Sequence, residues 1–290
     1  MAAALRCRAM GHKVTIIDKL SKLGGRAQVI ERNGYKYDTG PTVITAPFLF
    51  EELFNLFNEK LSDYLDFKPL DPWYRFHFHD STTFDYSSTI EETKKEISKF
   101  SPEDAESYDN LLKESEKIFD IGFTKLSDQP FTSFWTMIKQ IPYLLKLKSY
   151  ESVSKMVSRH IKNKKIRSAF SIHPLLVGGN PYTTTSIYSL IHFLERKWGV
   201  FFCMGGTGKL VEVLTNLMKR YDINIETNKN LKSVEHKDSV AYKAITECGK
   251  EYKFDNLIFN GDPPVFYKEI LKPASRNFLN PIFPAKSLSY

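Results

Sequence analysis

The sequence predicts an α/β protein whose α/β region is interrupted by a mainly helical one. Three observations predict it. Residues 1–18 read helix, glycine, strand, acid, which is the second half of a βαβ unit. Residues 131–200 carry helical patterning with basic and aromatic residues interleaved. After residue 220, short β-rich runs resume.

Taken in order, "MAAALRCRAM" (1–10) places small and apolar residues at helical spacing, with Gly11 positioned to end the helix. "KVTIID" (13–18) is β-branched, ends in an acid and reads as a buried strand. "FLFEELFNLFNEK" (48–60) repeats apolar residues at helical intervals. "WYRFHFHDSTTFDYSS" (73–88) alternates about Asp80-Ser81-Thr82 and reads as a hairpin. In "SPEDAESYDNLLKESEKIF", Ser101 is placed to cap a helix and Pro102 to occupy its first turn. Residues 205–220 form a glycine turn and an amphipathic helix. Strand candidates then follow at 223–227, 231–236, 241–247, 251–254 and 256–260.

The 290 residues are 42% hydrophobic and 14% aromatic, enough for a packed core and far from the composition of a disordered chain. Cys7, Cys203 and Cys248 are widely spaced, which argues against a disulfide framework or zinc site and fits a reducing compartment. No apolar run approaches the roughly 18 residues of a membrane-spanning helix. Arg6 and Arg8 break the first apolar run, so it does not read as a signal peptide. The net charge is +7, yet Lys139 to Arg167 hold nine Lys or Arg against Glu151 alone. Phe131, Phe134, Trp135, Ile138, Tyr143, Leu144, Leu145 and Leu147 are interleaved with these bases. Segment 131–167 is therefore expected to dock on an anionic membrane surface, with a plain solvated helix pair as the alternative. Nucleic acid is disfavoured, because the aromatics sit beside aliphatic residues rather than on a polar stacking platform.

The chemistry-bearing stretch is "DKLSKLGGRAQVIERNGYKYDTGP" (18–41). An acid ending a strand, here Asp18, can accept hydrogen bonds from a ribose hydroxyl. Gly24 and Gly25 allow backbone to approach a pyrophosphate, and Arg26 supplies a charged fork. Alone, Gly-Gly-Arg would pass for a surface turn; behind "KVTIID" and before "NGYKYDTGP" it is a nucleotide cradle. "GGTGK" (205–209) lacks the spacing of a phosphate loop. His77 and His79 share a strand face, but no carboxylate or cysteine joins them, so no metal site is expected. No nucleophile-elbow motif is present.

"LGGRAQVIERNGYKYDTGPTVIT" resembles the second FAD motif of the flavin amine oxidase superfamily. "HPLLVGGNPYTTTSIYSLIHFLERKWGVFFCMGGTGKLVEVL" (173–214) resembles, more specifically, the bacterial-type phytoene desaturases. The 71–88 hairpin and the helix after Ser101 share that likeness. It implies a Rossmann-like FAD-binding fold, similar to the GDP dissociation inhibitors, with an inserted helical substrate domain. On that pattern 1–70 and 201–290 build the FAD domain, and 71–200 the substrate or membrane-facing domain.

FAD is the implied cofactor, held by Asp18, Gly24, Gly25, Arg26, Gly40, Pro41 and Thr42, with Leu231, Asn260, Gly261 and Asp262 as further contacts. The implied reaction is desaturation of a long polyene such as phytoene by hydride transfer to flavin, with oxygen or a quinone as electron acceptor. The implied setting is peripheral, on the cytoplasmic face of a membrane. The family's glycine fingerprint and its C-terminal segment are absent from these 290 residues, so this stretch alone is expected to be inactive. No catalytic residue is named. Another superfamily flavoenzyme (carotene isomerase, oxygenase or amine oxidase) and a non-enzymatic isoprenoid-binding relative stay open.

Overall fold

A computed structural model describes residues 1–125, 134–237 and 240–271. In chain order its elements are α1 (Ala2–Ala9), β1 (Thr15–Ile17), β2 (Val29–Arg32), β3 (Tyr35–Asp38), β4 (Val43–Ile44), α2 (Phe48–Asn55), β5 (Phe67–Pro69), β6 (Tyr74–His77), β7 (Thr83–Tyr86), α3 (Ile90–Ser98) and α4 (Pro102–Phe119). They continue with α5 (Phe134–Lys146), α6 (Val153–His160), α7 (Lys164–Phe170), α8 (Leu190–Trp198), β8 (Phe201–Cys203), α9 (Thr207–Arg220), β9 (Asn224–Glu226), β10 (Leu231–Lys237), β11 (Val240–Thr246) and β12 (Glu251–Lys253). The chain divides into two compact units, one of residues 1–42, 48–66 and 203–290, the other of 43–47 and 67–202.

In the first unit, β1 pairs in parallel with β9, Ile16 opposite Ile225. A parallel pair needs a long crossover, and residues 18–223 supply it. The expected buried strand at 13–18 is instead half-exposed. Among the described residues only β9 pairs with it, so its other edge is uncovered. α1 ends at Met10 with Gly11 at φ 90°, the left-handed exit expected of that glycine. α2 stops at Asn55, short of the predicted residue 60, and Asn58 turns the chain at φ 58°. The unit's core is Leu5, Leu53, Phe54, Leu61 and the inner stripe of α9 (Leu210, Val213, Leu214, Leu217), spaced at helical intervals.

β10, β11 and β12 form an antiparallel meander. The run 256–260 is not a strand: it pairs with no described residue, and Ile258 stays exposed. A short apolar run is not enough where no neighbour completes the ladder.

The second unit is mostly helical. β6 and β7 form the predicted hairpin, with Phe76 opposite Phe84 and Ser81 at φ 66° in the turn. Ser101 Oγ accepts from Asp104 N and Pro102 opens α4, as the sequence predicts. Thr89, Ser152 and Asn163 cap α3, α6 and α7 in the same way. These short helices surround an aromatic core of Trp73, Phe84, Tyr86, Tyr108 and Phe170, into which α4 places Leu111 and Ile118. β4, β8 and β5 make a small sheet at one side.

Phe131 lies outside the described residues, as do the side chains of Phe134 and Trp135. No helix among the described residues is long and apolar enough to cross a membrane.

Candidate functional site

The predicted cradle lies in the first unit. β1 delivers Asp18 at its C-terminal end, where Asp18 N donates to Glu226 O at 2.9 Å and extends the ladder by one bond. The Asp18 carboxylate accepts from Leu20 N through Oδ1 at 2.9 Å, and its second oxygen takes no bond from a described residue. Gly24 (φ 123°) and Gly25 (φ 55°) then adopt backbone that disfavours side chains. Arg26 follows in a short 3₁₀ turn, exposed and with no side-chain partner among the described residues.

Gly40 is brought against this turn. A methyl group on Gly40 would sit 2.0 Å from Arg26 O, so only glycine permits the approach. Pro41 and Thr42 follow it on the surface. Leu231 opens β10 close to the same strand end, because Lys229 N donates to Asp18 O at 2.8 Å. Asn260, Gly261 and Asp262 are not joined to Asp18 or Arg26 by any described contact; Asp262 O accepts from Phe266 N at 3.0 Å.

One residue escaped the sequence reading. Asp38, at the end of β3, turns its carboxylate onto the first turn of α9. Its Oδ2 accepts from Thr207 N at 3.0 Å and its Oδ1 from Gly208 N at 3.2 Å. Thr207 Oγ1 donates to Pro41 O, tying the same turn to the cradle. Gly206, at φ 80°, is held open for this carboxylate: a methyl group there would lie 2.3 Å from Asp38 Oδ2. The helix N-terminus of "GGTGK" is therefore occupied by Asp38 rather than offered to a phosphate. Burial, with Asp38 nearby, pushes the Cys203 thiol above its ordinary range.

The signal that would have exposed Asp38 is Asn33-Gly34, both left-handed (φ 52° and 80°), which closes a hairpin of β2 and β3. Asp38→Ala should destabilise the first unit by about 1–2 kcal/mol, and Asp38→Asn, keeping one acceptor, by less. Denaturant titration of the two variants checks this.

The second unit holds a buried polar cluster also missed from sequence. Tyr74 Oη donates to Glu195 Oε1 at 2.7 Å, and His173 Nε2 lies 3.1 Å from Glu195 Oε2. Tyr86 Oη lies 3.1 Å from His192 Nδ1, and Arg196 stacks 4.5 Å from the centres of the Trp73 and Tyr86 rings. Burial and the Glu195 charge push the Tyr74 hydroxyl far above the phenol range.

Burial holds His192 well below its ordinary 6.5, and His173 and Arg196 add to this. The groups facing His192 are Tyr86, Tyr108, Phe170 and His173, with Arg196 on its own helix. A histidine neutral when folded and protonatable when unfolded contributes fully above its unfolded pKa and loses that contribution as pH falls. Stability should therefore decline below pH 6.5, with a shallower decline in His192→Gln. Thermal melts across pH test it. His77 and His79 are both exposed, and no cluster of three metal-ligating groups occurs among the described residues.

Comparison with known proteins matches what was read from the motifs. Phytoene desaturase (lycopene-forming) of Pseudescherichia vulneris is 39% identical over 93% of this chain and 55% of its own length. The enzyme of the same name from Pantoea ananas is 37% identical over the same shares. The 4,4'-diapolycopen-4-al dehydrogenase of Metabacillus indicus is 31% identical over 96% of the chain and 57% of its own. The chain thus spans about half the length of the curated relatives it matches. Putrescine oxidase bound to putrescine superposes with a TM-score of 0.61 at 13% identity, over 93% of this chain and 57% of that one. A fatty acid isomerase from P. acnes gives 0.59 at 13%, over 94% and 58%. These likenesses establish the expected α/β fold. The model of the flavin-containing amine oxidoreductases matches residues 1–286, and the chain belongs to that family, whose implied cofactor is FAD.

Proposed function

We propose that this chain is part of an FAD-dependent desaturase that introduces double bonds into a long isoprenoid such as phytoene. The observation that carries the reading is the 39% identity to a phytoene desaturase across 93% of the chain. Residues 1–70 and 201–290 serve as the cofactor-binding portion, and 71–200 as the substrate-facing portion.

The residues present suit FAD. Asp18 keeps a carboxylate oxygen free for a ribose hydroxyl, and Arg26 has an unpaired guanidinium for a pyrophosphate oxygen. Gly25 has nothing within 4 Å of where a side chain would start, which leaves its backbone approachable. Gly40 packs against that turn, and Pro41 and Thr42 follow it as further proposed contacts. Leu231, Asn260, Gly261 and Asp262 complete the proposed set; the last three do so without a described contact to the cradle. When bound, flavin supplies a hydride acceptor, which no protein side chain offers. This chain's residues bind and orient: Asp18 would hold the cofactor at a ribose and Arg26 at its pyrophosphate.

Reduced flavin would be reoxidised by oxygen or a quinone. Segment 131–167 would hold the enzyme on the cytoplasmic face of an anionic membrane, where so hydrophobic a substrate resides. A second reading, dehydrogenation of a polyene aldehyde, has its own support in the 31% identity to the 4,4'-diapolycopen-4-al dehydrogenase.

Expression of the full-length protein in a phytoene-accumulating host, with pigments separated by chromatography, decides between them. New coloured polyenes support desaturation, and unchanged phytoene refutes it. Arg26→Ala should lower FAD affinity by the loss of a charge-assisted bond, about 1.5–3 kcal/mol, with little change in folding. Flavin content after purification reads this out, and equal content in both proteins would remove Arg26 from the site.

A further inference from the structure

We propose that a concave surface between α4, α5 and α6 binds the phosphate of an anionic lipid headgroup. The cavity has a volume of about 430 Å³. Lys113 and Lys117, one helical turn apart on α4, meet Lys146 at the end of α5 and Lys148 just beyond it. Lys148 reaches the cavity from left-handed backbone (φ 52°), an arrangement that costs a lysine energy.

The acid in the cavity does not answer these lysines. Glu114 is taken by His160 Nε2 at 2.6 Å and by an Arg159 guanidinium nitrogen at 2.5 Å. Burial raises its pKa, but those two bonds outweigh burial and hold the carboxyl at about 2. Lys113, Lys117, Lys146 and Lys148 have no carboxylate partner among the described residues. Four ammonium groups lining one concavity repel one another, and a phosphate entering it relieves the repulsion with charge-assisted hydrogen bonds.

The phosphate belongs to a lipid because of what flanks the lysines. Ile141, Tyr143 and Leu145 on α5 are 47%, 47% and 59% exposed, and Tyr150 just past Lys148 is 71% exposed. Free phosphate would leave these side chains in water, whereas a headgroup seated on the lysines lets them enter the acyl boundary. The proposal deepens the membrane-docking reading and rests on it.

The test uses the full-length protein with vesicles of phosphatidylcholine, with and without phosphatidylglycerol. Two double variants are compared with wild type: Lys113→Gln with Lys117→Gln in the cavity, and Lys232→Gln with Lys253→Gln, exposed in the first unit and outside segment 131–167. The expected result is a loss of about tenfold or more in phosphatidylglycerol-vesicle affinity for the first pair only, with circular dichroism unchanged. Equal losses for both pairs would leave membrane docking standing and overturn the site. Wild type indifferent to phosphatidylglycerol would overturn both. Inorganic phosphate binding, by calorimetry, that depends on Lys113 and Lys117 without vesicle binding would overturn the lipid source. So would a preference for single-stranded RNA over vesicles.

Discussion

Replacing Glu195 by alanine should destabilise the helical unit by about 3–5 kcal/mol, because it takes the acceptor from two buried hydrogen-bonding groups at once. Glu195 is fully buried on α8 and accepts from Tyr74 while facing His173. Alanine strands both partners in a core where nothing replaces them: His173 Nδ1 already has no hydrogen-bond partner among the described residues. The vacated volume adds its own cost. Glu195→Gln keeps one acceptor and most of the volume, so its loss should be clearly smaller. Denaturant unfolding of both variants separates the cases. Equal, small losses would mean that the cluster is a bystander to folding.

Gly40→Ala should be the second large effect, and Gly25→Ala is its internal control. At Gly40 the added methyl meets backbone, Arg26 O at 2.0 Å and Ala27 Cα at 3.2 Å, so the turn that presents Arg26 must move. Forcing a methyl group into so close a backbone approach should cost about 1–3 kcal/mol, and FAD retention should fall with it. At Gly25 the backbone is left-handed (φ 55°) but the space is open, so alanine costs strain alone. A Gly25→Ala protein that loses more flavin than Gly40→Ala would show that conformation, not the close approach, shapes the cradle.

What could be read from the sequence is what neighbouring residues decide. Ser101 and Pro102 announce α4, alternation announces the 73–88 hairpin, and the glycine turn before Thr207 announces α9; each rests on contacts within a few residues. What stayed hidden depends on distant partners. Glu195 and Tyr74 are 121 positions apart, and His192 and Tyr86 106 apart, so no window of sequence shows them as one cluster. The strand expected at 256–260 failed for the same reason, since a ladder needs a partner that local composition cannot name. Asp38 is an intermediate case. Asn33-Gly34 marks its hairpin plainly, but the α9 turn that Asp38 caps lies 169 positions away and local pattern does not point to it. Among the cradle residues, Gly24, Gly25, Arg26 and Gly40 lie together, whereas Asn260 to Asp262 could be placed only by resemblance.

The bond between Asp38 and Thr207 spans 169 positions of chain, and this separation bears on synthesis. At a ribosomal rate of roughly 5–20 residues per second, about 8–34 seconds pass between the emergence of Asp38 and that of the helix it caps. During that interval the β2–β3 ribbon is outside the exit tunnel with Ile30, Tyr35 and Tyr37 uncovered, as they are in the folded chain. Residues 67–202 emerge meanwhile as a nearly continuous unit able to complete its own core. The nascent chain therefore carries a finished middle and a waiting beginning. Until α9 emerges, Asp38 lacks the two backbone N–H groups it accepts from, and Val29 lacks the helix turn it lies against.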